Sequence, residues 1–184
     1  MTITSGEVTG NVAQAEGGGL WNGAGTMIVD GVVVTNNTAN GNDADQGGGG
    51  VFNLNGVLQI QNNTVIAANN ASGTSGSGGG ILNTENGTLT VANTNITGNF
   101  ASRAGGGIED VSGSSTTIIL DHVIFSSNNT GAAPGNGGGF HITGAGNTTI
   151  TNCMFNGNSA DAEGGGFHQR VVDAAREVRR VHLA

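Results

Sequence analysis

The chain has 184 residues, among them 36 glycines, one proline and one cysteine, with a formal net charge of −8. Glycine at this level without a Gly-X-Y period excludes collagen, and 10% charged residues is too few for an ordinary disordered chain. Residues 1–169 carry eleven acidic side chains against Arg103 alone, a balance that repels phosphate backbones and argues against nucleic acid as a partner.

In chain order, Met1-Thr2-Ile3 opens with apolar residues at alternate positions, the mark of a strand with one buried face. Val8 then stands three places before Asn11, Ala13 two places after it, and a glycine run ending at Gly19 leads into Leu20. The same landmarks return along the whole chain. Val34, Ile66, Ile96, Phe125 and Phe155 precede Asn37, Asn69, Asn99, Asn128 and Asn158. Runs ending at Gly50, Gly80, Gly107, Gly139 and Gly166 lead into Val51, Ile81, Ile108, Phe140 and Phe167. After each run but the last, a period-two pair follows: Met27 and Val29, Leu58 and Ile60, Leu89 and Val91, Ile118 and Leu120, Thr148 and Ile150.

Landmarks that recur roughly every thirty residues mark a repeat architecture. Each repeat predicts three short strands, joined by turns whose Asn and Gly tolerate positive φ. Extra residues collect at one place per repeat, as at 41–45, 73–76 and 132–135, where a solenoid accepts insertions. The pattern predicts an all-β fold over residues 1–169, a right-handed parallel β-helix of about six coils. The opening falls inside a coil, so this stretch reads as part of a longer solenoid. It carries neither a signal-peptide pattern nor a transmembrane run.

Residues 170–184 change character. Val171, Ala174, Ala175, Val178 and Val181 follow helical spacing, with Asp173, Arg176, Glu177, Arg179 and Arg180 on the other face. A short amphipathic helix is expected there. It serves either as a cap on the last coil or as a frameshifted or read-through tail.

Three columns emerge once the repeats are aligned. The residue after each post-glycine position is Trp21, Phe52, Leu82, Glu109, His141 and His168 in turn. Trp21, Phe52 and Leu82 predict an exposed apolar stripe that binds a ligand or packs under a neighbouring domain. Glu109, His141 and His168, about 4.8 Å apart on adjacent coils, have the residue types to hold a divalent metal such as Zn²⁺. The alternative is that the histidines simply stack on a solvated strand. Asn22, Asn53, Asn83 and Asp110 form the next column, and the turn residues Asn11, Asn37, Asn69, Asn99, Asn128 and Asn158 another. Both read as structural amide ladders. No cofactor is expected.

The glycine-aliphatic element together with Phe125-Ser126-Ser127-Asn128 and Phe155-Asn156-Gly157-Asn158 resembles the paired repeat of chlamydial polymorphic outer membrane proteins. It is similar in the broader sense to bacterial parallel β-helix repeat surface proteins. The resemblance spans about residues 1–169. Here the first element is Gly-Gly-Gly-aliphatic, where that family commonly has Gly-Gly-Ala-Ile. What it implies is a secreted or outer membrane-associated passenger, non-catalytic and adhesin-like. Its partners would be a host-cell or matrix protein or a glycan, with no direct membrane insertion by this segment.

The same fold class also carries pectin-lyase-like enzymes, so a polysaccharide lyase or glycoside hydrolase is the second reading. Its residues are thin on the ground. Arg103 is the one basic residue of the body. Asp30 and Asp121 share an outward column but lie three coils apart, about 14 Å, against the roughly 6.5–9.5 Å of an inverting pair. Glu109 and Asp110, as neighbours on a strand, point to opposite faces. Asp43 with Asp45, and Asp161 with Glu163, sit on turns. Ice binding is a third reading, drawn from Thr2/Thr4, Thr88/Thr90 and Thr149/Thr151, but Ile28, Gln59 and Ile119 interrupt that array. The lone Cys153 allows no internal disulfide.

Overall fold

The structure, a computed structural model, describes residues 1–144 and 146–170. These residues form a parallel β-solenoid of about six turns, with strands paired to their counterparts one turn away. The strands after the glycine runs stack into a six-stranded first face: Leu20–Asn22, Val51–Leu54, Ile81–Glu85, Ile108–Ser112, Phe140–Ile142 and Phe167–Gln169. The second and third faces belong to one ten-stranded sheet, because Thr88–Thr97 and Thr117–Ser126 each run through both. Two-residue strands such as Thr38–Ala39 and Asn70–Ala71 close the turn as a five-stranded sheet. No helix occurs among the described residues. The helix expected over 170–184 lies, from residue 171 on, outside them.

Two strands of ten residues replace four of the short strands expected. Asn93 (47°) and His122 (52°) turn the chain at the corner at positive φ, and the two strands pair with each other on both sides of that residue. Gly31, the pair Asn62 and Asn63, and Asn152 take the same corner in other coils, where the strand is interrupted. The corner at each glycine run needs glycine for two separate reasons. Gly78 has φ of 64°, where a Cβ is strained, and a Cβ on Gly49 would lie 2.5 Å from the Gly79 carbonyl oxygen.

The apolar residues of the repeat point inward and stack in register. Val51, Ile81, Ile108 and Phe140 are fully buried along the first face, and Val34, Ile66, Ile96 and Phe125 along the third. Phe125 and Phe155 lie parallel with ring centroids 4.6 Å apart. Burying a side chain of this size contributes about 1.5–3 kcal/mol, and each coil reaches that burial only through its neighbours.

The turn asparagines form a continuous ladder. In each coil from Asn11 to Asn128 the backbone N–H and the side-chain amide both donate to the Oδ1 of the next Asn, at 2.9–3.1 Å. From Asn37 on, the second amide hydrogen goes to a backbone carbonyl of the previous coil, such as that of Val34 for Asn69. Every buried polar atom of the central rungs therefore has a partner, which is the condition for burying an amide at low cost.

Candidate functional site

The column that begins at Trp21 is where the sequence placed its binding and metal candidates, and its environment differs from the one expected. Trp21 is 49% exposed, but Phe52 and Leu82 are buried, as are Glu109 and His141. Strict alternation assigns these residues to the outside of the solenoid. The segment before each glycine run, however, folds back over the first face. Gly47, Ser77, Ala104, Asn136 and Glu163 of successive coils bridge one another there and roof the column. The exposed apolar stripe is thus corrected to a second, roofed core, with Trp21 at its open edge.

Trp21 is held firmly in that position. Its ring stacks on Phe52 with centroids 6.4 Å apart, and its Nε1–H donates to Glu16 Oε2 at 3.3 Å. His168, at the far end of the same column, pairs through Nε2 with Glu163 Oε2 at 3.2 Å. In both cases a glutamate just before the first positive-φ glycine of a run clasps the column residue five places on. That spacing is visible in the sequence, and its meaning depends on knowing that the loop doubles back.

Between these ends sits a buried ionic group. Glu109 Oε1 meets Arg103 Nη2 at 2.9 Å, and its Oε2 meets His141 Nδ1 at 2.7 Å. Arg103 Nε–H also donates to Ser77 Oγ at 2.7 Å, and the Thr143 hydroxyl donates to Glu109 Oε1 at 3.3 Å. The His141 ring stacks on His168 with centroids 4.9 Å apart and planes 7° apart. Both Glu109 oxygens are thus engaged by protein groups. The two imidazole planes are parallel, so their in-plane lone pairs do not converge on one point. Among the described residues no group of three His, Cys, Asp or Glu side chains is arranged to hold a metal ion. The expected metal trio is instead an ion pair with a stacked histidine. Burial, and then the neighbouring His141 ring, lower the pKa of His168.

Asp110 lies on the opposite side of the same strand. It ends the second ladder, in which Asn22 donates to Asn53 at 2.7 Å, Asn53 to Asn83 at 2.6 Å and Asn83 to Asp110 Oδ1 at 2.9 Å. Its Oδ2 is buried with no partner among the described residues, and burial pushes its pKa up from 3.8 to about 6.

The remaining carboxylates of the enzyme reading are held by their own neighbours. Asp30 accepts from Gln61 and Asn62, which lower its pKa. Asp121 accepts from Thr151 and Asn152 and meets His122, and its pKa falls to about 2. Pairing of Asp30 with Gln61 and of Ala92 with Asp121 keeps both in one column, separated as expected.

Searches against protein-family models, curated proteins and solved structures return no match to this chain. The fold therefore rests on its own register. No helix among the described residues is long and apolar enough to cross a membrane.

Proposed function

We propose that this chain is a non-catalytic display segment of a bacterial surface protein, of the adhesin or autotransporter-passenger kind, which binds through a rigid extended face. The observation that carries the reading is the outer surface of the third face. One outward column there reads Glu7, Val33, Val65, Asn95, Ile124 and Met154, and the next reads Thr9, Thr35, Ala67, Thr97, Ser126 and Asn156. Past Glu7 neither column bears a charge, in a body whose charged side chains are carboxylates but for Arg103 and the histidines. Ile124 is 40% and Met154 50% exposed, adjacent apolar residues of a column that continues, past Asn95, with the half-buried Val65 and Val33. Trp21 adds an aromatic anchor at one end of a different face. The fitting partners are a host-cell or matrix protein or a neutral glycan, and the location is the cell surface.

Support also comes from the carboxylates. Glu109 and Asp110 are buried, and Asp30, held by two neighbouring groups, and Asp121, held by three, lie three coils apart. A panel of immobilised polysaccharides and matrix proteins, with and without Ca²⁺, tests the reading when both retention and new chain ends are followed. Retention without cleavage is expected, weakened at least tenfold (about 1.4 kcal/mol) by Ile124→Glu with Met154→Glu. Trp21→Ala reports on the second anchor. New chain ends that vanish on changing Asp30 or Asp121 would replace this reading with a carbohydrate enzyme. Inhibition of ice growth lost on changing Thr90 would favour ice binding.

A further inference from the structure

Asp110 stands where the ladder pattern calls for an amide. In the three coils before it, Asn22, Asn53 and Asn83 each donate one amide hydrogen to the next rung and another to a turn carbonyl, that of Gly25, Gly56 or Gly87. Asp110 receives its rung through Oδ1 but presents Oδ2, an acceptor, at the place where the others present N–H. The roof over that atom is tight: a Cβ on Gly144 would lie 2.7 Å from Oδ2. The amides of Thr143 and Gly144 fasten the next coil to the Asp110 carbonyl at 2.9 and 3.1 Å. Around the carboxyl, the preceding strand presents Asn83, the following strand Ile142, and the turn after it Ser112 and Thr116. Among the described residues no cation answers it: Arg103 and His141 are committed to Glu109, whose own negative charge adds to the penalty on ionising Asp110.

We propose that Asp110 is a proton-operated latch between the fourth and fifth coils. With a proton on Oδ2 the carboxyl is neutral and presents an O–H where the other rungs present an amide N–H. Without one it is a buried anion whose Oδ1 accepts from Asn83 and the Ser112 N–H but whose Oδ2 has no partner among the described residues, which favours opening of the Gly113–Thr116 turn and of the Thr143–Gly144 cover. The folded-state pKa is raised, so this contribution is fully present below pH 3.8, the unfolded value, and is lost as pH rises through about 6. Acidification therefore tightens this junction.

The experiment compares the native chain with Asp110→Asn, measuring unfolding equilibria from pH 4 to 8 and amide exchange at Thr143 and Gly144. The native chain is expected to gain roughly a hundredfold in its folded-to-unfolded ratio, relative to Asp110→Asn, between pH 7.5 and pH 4. Exchange at the two amides, corrected for intrinsic rates, is expected to slow on acidification in the native chain only. Identical pH slopes in the two proteins would overturn the proposal. A carboxyl ¹³C titration of Asp110 in the native chain reads the same group directly should the variant fail to fold. A midpoint near 6 is expected, and one below 4 would overturn the latch.

Discussion

Two amide ladders run through this solenoid, and they end differently. The turn ladder extends unbroken from Asn11 to Asn158, each inner rung donating to one neighbour and to a backbone carbonyl. The first-face ladder keeps that pattern through Asn22, Asn53 and Asn83, then meets Asp110 and stops. The adjoining column changes at the same coil, from Trp21, Phe52 and Leu82 to Glu109, His141 and His168. The backbone register is indifferent to the exchange. One scaffold carries a satisfied apolar half and a half that holds buried charge, and the cost of the second half rests on a few identified partners.

The largest test strips the charged half of its cation. Arg103→Ala leaves Glu109 buried with His141 and a hydroxyl, and a loss of about 3–5 kcal/mol in chemical unfolding is expected. Converting the half to the apolar kind sharpens the point. Arg103→Ala with Glu109→Leu and His141→Phe mimics Leu82 and Phe52 and is expected to return to within about 1 kcal/mol of the native chain. A triple variant as weak as the single one would show that the halves are not interchangeable.

Next comes the turn ladder. Asn69→Ala removes two donated and two accepted hydrogen bonds at a buried site and is expected to cost about 3 kcal/mol. Asn11→Ala, at the exposed first rung, is expected to cost less than 1 kcal/mol in the same measurement. Equal effects at the two rungs would mean that hydrogen bonds along the ladder do not limit stability.

Much of this arrangement is legible in the residues. Glycine runs and spaced asparagines place the corners, and period-two pairs place the inward columns. What alternation could not reveal is the roof. It divides a strand into inside and outside, and here the outside of the first face is also inside, because the loop before Gly48, Gly78, Gly105 and Gly137 returns across it. Phe52 and Leu82 were therefore expected at the surface, and Arg103, lying in a variable turn, gave no sign of its partner Glu109. The spacing of Glu16 to Trp21 and of Glu163 to His168 was the available clue.

The smallest effect concerns the end of the charged half, and its sign opposes that of Asp110. Burial lowers the pKa of His168, so its neutral form is the one the fold favours. Stability from this group is present above the unfolded value of 6.5 and is lost as pH falls through the lowered folded value. His168→Phe retains the stacking on His141 and Phe-like packing beneath the roof while removing the titration. Compared with that variant, the native chain is expected to weaken modestly between pH 7 and 5, read as a falling thermal midpoint. Partial exposure of the ring and its contact with Glu163 keep the effect small. If His168→Phe and the native chain kept a constant difference across that range, burial of the imidazole would carry no pH dependence.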